Sequence, residues 1–172
     1  MKKYLFPVAL IIFLLGYAYY KVFIVPTNLK VGQNAPEIHC DQGVKLSEIY
    51  NENYVLLDFW GSWCGPCRKQ NKDWVELYKR FRKSKFDQTS GFEILSFALE
   101  TNEDAYLAAV QKDGLNWPFK CADYNRMNAL AAKTYDVREI PTHFLINPAG
   151  KIVGINMTPS EIERFLQQRV TN

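Results

Sequence analysis

Two cysteines, Cys64 and Cys67, stand two residues apart in the stretch "DFWGSWCGPCRKQ". Thiols at that spacing suit three kinds of chemistry: half of a metal clip, a small structural disulfide, or a pair that takes up and releases two electrons. A structural zinc site needs four ligands. The pair supplies only part of that set, and His39, Cys40, Cys121 and His143 are scattered with no second pair at suitable spacing, so no metal is expected. A purely structural disulfide here would close a very short loop and constrain the unfolded chain little. The redox pair has most support, and it needs no cofactor.

The position of the pair strengthens that reading. "NYVLLDFW" is a continuous apolar run with β-branched and aromatic residues, which predicts a strand buried on both faces. From Pro66 to about Ser84, Trp74, Leu77, Tyr78 and Phe81 recur at helical spacing between charged residues. Cys64 therefore falls at the start of a helix, where unpaired N–H groups and the helix dipole stabilise a thiolate. In such places a cysteine pKa drops from about 8.5 to about 7 or lower, a shift worth about 2 kcal/mol. Arg68 and Lys69 add positive charge in the first turn. Cys67 lies one turn on, facing the same side but deeper. Gly65 permits close approach of another chain, and Pro66 gives up no hydrogen bond in the first turn.

Two acids and three other polar or sulfur-bearing residues complete the candidates. Asp58 sits inside an apolar strand, where a carboxylate is costly unless satisfied and its pKa should rise. It is either a hydrogen-bonded structural acid or a proton-handling one. Glu100 closes "ILSFAL", at the edge where open α/β sheets place their sites. His143 is read as a packed strand residue. Cys40 and Cys121 are either buried free thiols or, in an exported domain, partners in a second disulfide; pairing needs Cα atoms within about 7 Å, a distance the sequence leaves open.

The elements around these residues alternate. "GFEILSFAL" predicts a second buried strand, so that strand, helix and strand form a parallel unit. "TNEDAYLAAVQKDG" reads as a helix capped by Thr101 or Asn102 and stopped at Gly114. "YNRMNALAAKTYDV" reads as another. "THFLI" and "KIVGI" flank the turn composition "NPAG" and predict an antiparallel hairpin. In the closing helix "TPSEIERFLQQRV", Thr158 caps, Pro159 takes the first position and Glu161 completes a capping box. A short strand pair is expected ahead of all this. The pattern is an α/β domain with a mixed sheet.

The chain has 172 residues, is 48% hydrophobic and 23% charged, and carries a net charge of +3 with the signs interspersed. That is the composition of a globular domain, and without a basic tract it gives nucleic-acid binding no support. At the N-terminus, Lys2 and Lys3 precede an apolar run from Tyr4 to Tyr20. Its length meets the lower bound for a membrane span, and the lysines favour a cytoplasmic N-terminus with the rest exported. The rival reading is a leader cleaved after Ala18, with Gly16 and Ala18 as the small residues. Pro26 to Glu37 is a polar tether and lead-in.

"WCGPC" between a buried strand and a helix, with "IPT" at Ile140–Thr142, resembles thioredoxin. The apolar N-terminus, "VGQNAPEI" and the segment between the second strand and "IPT" resemble the TlpA/ResA group of membrane-anchored bacterial thiol–disulfide oxidoreductases. The resemblance covers about Val31 to the C-terminus. It implies a thioredoxin-like fold: a mixed central sheet flanked by helices, with an N-terminal strand pair and an inserted segment. The chain then divides into an anchor or signal peptide at 1–25, a tether at 26–34 and the domain at 35–172.

Residue by residue, the resemblance makes Cys64 the attacking and Cys67 the resolving cysteine. Pro141 becomes a cis-proline beside them, with the Ile140 backbone free to pair with a substrate peptide. Trp63 covers the site, and Gly65, Pro66 and Thr142 complete the substrate-binding surface. Asp58 matches thioredoxin's buried acid, which moves the second sulfur's proton. Glu100 matches the active-site acid of the ResA-like branch. That branch usually lacks an acid at the Asp58 position, so it stays open which acid serves Cys67.

The implied function is a reductase of disulfides in other exported proteins, for example in cytochrome c maturation, fed by a transmembrane thiol-electron donor. Strong oxidants owe their potential to a much stabilised thiolate; the gap from thioredoxin, near −270 mV, to an oxidant near −120 mV is about 7 kcal/mol. Gly65 and Pro66 add no charge or polar side chain toward that, and solvated Arg68 and Lys69 add little. Alternatives are a general disulfide oxidase or isomerase and a copper-binding chaperone. The copper branch places three residues between its cysteines and adds a histidine, a part that only His143 could fill here. A peroxiredoxin signature is absent, because Gly61 and Leu57 stand where it needs Thr and Pro.

Overall fold

The run Asn53–Trp60 forms the central strand β1 (Asn53–Trp60), buried from Val55 onward. The structure, a computed structural model, describes residues 10–16, 28–40, 43–86 and 91–171. Next to β1 lie β2 (Gly91–Leu99), β3 (Phe119–Asp123), β4 (Thr142–Ile146) and β5 (Ile152–Ile155) in the order β3-β2-β1-β4-β5. β1, β2 and β3 are parallel; β4 runs antiparallel to β1, and β5 to β4. The mixed sheet and the hairpin are as the sequence predicts.

Strand periodicity divides the core into two layers. Leu56, Trp60, Ile94, Ala98 and Leu145 face α2 (Gly65–Phe81), α3 (Glu103–Asp113) and α5 (Pro159–Gln167), meeting Trp74, Phe81, Ala109 and Ile162. Leu57, Phe59, Phe97, Phe144 and Ile146 face the other way, onto α1 (Leu46–Tyr50), α4 (Leu130–Thr134) and the lead-in residue Ile38. The helix signals hold. Asn102 caps α3, with Gly114 left-handed at its end, and Thr158 and Glu161 form the capping box of α5 behind Pro159.

Three expectations are corrected or fall outside the structure. The N-terminal strand pair does not form among the described residues; only the isolated bridges Asn34–Lys151 and His39–Lys45 do. Gly32 bends the backbone at φ 93°, and Pro36 has no N–H for a ladder. The predicted helix over "YNRMNALAAKTYDV" is broken into a 3₁₀ turn, Arg126–Asn128, and the short α4. Arg126 is left-handed at φ 53° and Ala129 is extended, so apolar spacing alone misjudged this stretch. Among the described residues no helix is long and apolar enough to cross a membrane. Of the Tyr4–Tyr20 run only residues 10–16, which are helical, are described; the rest of the proposed anchor lies outside the described residues.

Candidate active site

Cys64 and Cys67 are joined by a disulfide at the head of α2, with Cα atoms 5.3 Å apart. Cys64 is the N-cap: its backbone is extended, and its Sγ accepts from the Cys67 N–H at 3.2 Å. A thiolate at this atom would meet the same N–H, which is how the helix end favours it. Cys67 is almost fully enclosed, at 1% exposure against 5% for Cys64, while Gly65 and Pro66 are open to solvent. A Cβ at Gly65 would meet nothing within 4 Å, so this face leaves room for another chain.

The Ile140–Pro141 peptide is cis, and the Ile140 carbonyl oxygen lies 3.8 Å from Cys64 Sγ. Both residues are half-buried and border the sulfur. Thr142 differs: its side chain is buried, its Oγ1 donates to the Glu139 carbonyl at 2.8 Å, and it stands opposite Phe59 in the β1–β4 ladder, so it supports the loop rather than offering a surface to a substrate. Trp63 is 46% exposed. Its indole N–H donates to the Leu99 carbonyl at 2.8 Å, and the Arg126 guanidinium lies over its ring, 4.2 Å from the centroid.

The two acids occupy opposite situations. Glu100 is buried but fully engaged: its carboxylate accepts from the Ser62 N–H at 2.5 Å and from Ser62 Oγ at 2.8 Å. It therefore holds the loop that presents Trp63 and Cys64. Asp58 is equally buried, yet neither carboxylate oxygen has a hydrogen-bond partner among the described residues. Burial raises its pKa to about 7; the neighbouring Trp74 indole draws it back only in part. Asp58 is thus near half-ionised at neutral pH.

Arg68, read from the sequence as charge in reserve for the thiolate, is committed elsewhere. It forms a two-armed ion pair with Asp113 of α3, to which Asn71 also donates, and it reaches the Ser62 carbonyl at 3.3 Å. Burial raises the Asp113 carboxyl, but the hydrogen bonds from Arg68 and Asn71 outweigh it and leave the pKa below the ordinary value.

Cys40 and Cys121, whose pairing the sequence leaves open, form a second disulfide with Cα atoms 5.7 Å apart. Cys121 is brought there by its place opposite Phe97 in the β2–β3 ladder, and Cys40 by the turn in which its N–H meets the Val44 carbonyl. No local pattern in the sequence announces this pairing. Among the described residues no group of three or more His, Cys, Asp or Glu side chains is gathered to hold a metal. His143 is buried against Trp74, with ring centroids 5.1 Å apart.

Sequence reasoning passed over Ser62, Arg126 and Gly61. A Cβ at Gly61 would sit 2.7 Å from the Trp63 indole nitrogen, so glycine is what lets that ring dock on Leu99. Its adjacency to "SWC" was the one signal available.

A dithiol–disulfide at a helix N-terminus, bordered by a cis-proline loop and carried on a β3-β2-β1-β4-β5 sheet, defines a thiol–disulfide oxidoreductase of thioredoxin type. The comparisons agree. The model of the Thioredoxin-like family matches residues 51–152. Thiol-disulfide oxidoreductase ResA of Bacillus subtilis (strain 168) is 31% identical over 160 residues, covering 88% of this chain and 83% of that protein. Its counterpart in Bacillus anthracis is 27% identical over 181 residues, covering 98% of both. A solved thiol-disulfide oxidoreductase from Bacteroides fragilis NCTC 9343 superposes with a TM-score of 0.67 at 28% identity, over 79% of this chain and 98% of that one. The chain belongs to the thioredoxin-like family.

Proposed function

We propose that this oxidoreductase works as a reductase of disulfides in other extracytoplasmic proteins. The observation that carries the direction is the poverty of thiolate stabilisation around Cys64. The sulfur receives one backbone N–H. Arg68, the nearest guanidinium in the sequence, is neutralised by Asp113. Gly65 and Pro66 contribute nothing polar, and Asp58 lies in the same buried layer as Cys67. A strongly oxidising pair requires the opposite, a reduced form held by a much stabilised thiolate.

In this reading the Cys64 thiolate attacks a client disulfide and one client sulfur leaves, taking up a proton. Cys67 then loses its proton, attacks Cys64 Sγ and expels the second client thiolate. Two electrons pass to the client and the Cys64–Cys67 disulfide remains. Asp58 is the acceptor of the Cys67 proton, since it is buried in the same layer and no charged group holds its carboxyl, whereas Glu100 serves the loop. The client peptide lies along Ile140, over Gly65 and Pro66, with Trp63 at the rim.

Export is supported by the apolar run behind Lys2 and Lys3 and by the second disulfide, a linkage suited to an oxidising compartment. There, the pair must be kept reduced by a dedicated thiol donor in the membrane, and an N-terminal anchor would hold the domain near it. Clients in cytochrome c maturation fit this placement. Equilibration of the protein with glutathione buffers tests the direction. A potential below about −220 mV is expected, and one above about −160 mV would make this an oxidase.

A further inference from the structure

Asp58 and His143 face each other directly in the β1–β4 ladder. The His143 N–H donates to Asn156 Oδ1, and the His143 carbonyl accepts from the Asn156 N–H, both at 2.9 Å. Both polar groups of its backbone therefore point away from β1, toward the β5 side. That makes Asp58–His143 a non-hydrogen-bonded pair, the kind with Cα atoms only about 4.5 Å apart and side chains closest. Strand alternation sends both side chains to the same face, the one α2 covers with Cys67 and Trp74.

The two side chains have complementary deficits. His143 Nε2 is 2.6 Å from the Met157 carbonyl oxygen. A carbonyl can only accept, so Nε2 carries the hydrogen and Nδ1 is the bare nitrogen of the neutral ring. Nδ1 has no hydrogen-bond partner among the described residues, and neither has either oxygen of Asp58. Protonated Asp58 is a donor without an acceptor, and neutral His143 is an acceptor without a donor. Buried groups left in that state each cost about 1–3 kcal/mol.

We propose that Asp58 and His143 share one proton as a pair beneath the Cys64–Cys67 disulfide, with His143 the positioning residue that holds the proton Asp58 takes from Cys67. The reading rests on the role given to Asp58 in the proposed function. The step balances: the Cys67 S–H bond breaks, its proton goes to an Asp58 oxygen, and the resulting O–H turns to His143 Nδ1. The Cys67 thiolate is left free to attack.

Other groups on this face do not supply the same service. Ser96 is opposite Asp58 on β2, with its hydroxyl engaged by the Trp117 indole at 2.8 Å, and the Trp74 indole N–H, which lowers the Asp58 pKa, can only donate and so cannot take the acid's proton. α5 contributes Ile162 and Leu166. Tyr78 on α2 is bonded to Glu93. Burial raises Asp58 and lowers His143, and no charged side chain enters the balance at either.

The test is a pH titration of the full-length oxidised protein, carrying ¹³C at the aspartate carboxyls and ¹⁵N at the imidazoles. The chain has only two histidines, so His39 is the internal control. The pair predicts that Asp58 and His143 follow the same midpoints, as coupled sites must. In Asp58→Asn, His143 should stay the neutral Nε2–H tautomer down to pH 5. In His143→Gln, which can keep the bond to Met157, Asp58 should titrate alone with its midpoint moved by about a unit. The pH profile of client-disulfide reduction should move with it, a roughly tenfold rate change on its flank. Independent titrations in the wild type, with His143 indifferent to Asp58→Asn, overturn the pair; that arm stands even if His143→Gln fails to fold. A potential in the oxidase range would remove the reductase reading and leave these titrations untouched.

Discussion

Replacing Asp58 by Asn should stabilise the oxidised protein, and by an amount that grows with pH. Asp58 is fully buried, and its pKa is raised from 3.8 to about 7. Between those values the folded protein keeps a proton that the unfolded chain has released. Stability then falls as pH rises, the reverse of a salt-bridged carboxylate. Below pH 4 both states are protonated and the group adds nothing; above pH 7 the whole penalty is present. From pH 5 to pH 8 the wild type crosses about two pH units of that window at about 1.4 kcal/mol each, so it should lose about 3 kcal/mol. Asn cannot ionise and escapes this loss. Urea unfolding of both proteins at pH 5 and pH 8 measures the difference, and the gap between them should widen by about 3 kcal/mol. A gap that is the same at both pH values would refute the reasoning, because it would mean that Asp58 is ionised in the fold at pH 5 or is better solvated than its burial implies. The same variant should slow release of client from the mixed disulfide, so stability and turnover should move in opposite directions.

Removing the second disulfide by Cys40→Ala with Cys121→Ala should cost about 4 kcal/mol in urea unfolding, given its sequence separation of 81; a loss below about 1 kcal/mol would count against a constraining role. Glu100→Gln weakens two charge-assisted hydrogen bonds to Ser62 and should destabilise by about 2 kcal/mol, with faster amide exchange at Ser62 and Trp63. Unchanged exchange there would show that the carboxylate does not hold the loop. In the reduced protein Cys64 should be alkylated before Cys67, since it caps the helix and is the less enclosed sulfur. Peptide mapping showing Cys67 modified first at neutral pH would reverse the roles.

The sequence by itself determined the parts whose cause is local. The apolar run of β1 and the helical spacing of α2 place Cys64 at a helix start whatever the rest of the chain does. Thr158, Pro159 and Glu161 specify their own capping box, and Gly114 its own left-handed stop. Asp58 was legible as an anomaly, because a charge inside an apolar strand stands out without any partner being known. The resemblance in "WCGPC" and "IPT" brought Cys64, Cys67 and Pro141 together before any geometry was available.

Tertiary structure decided everything that depends on register between distant segments. Cys40 meets Cys121 only because β3 pairs with β2 in one alignment. Asp58 meets His143 only because β4 pairs with β1 in another; a slip of one residue would turn His143 to the opposite face. Glu100 serves Ser62, and Arg126 covers Trp63, because loops at one end of the sheet converge. Such contacts join residues dozens of positions apart, and they are selected by the packing of whole layers. Periodicity within a segment carries no record of them.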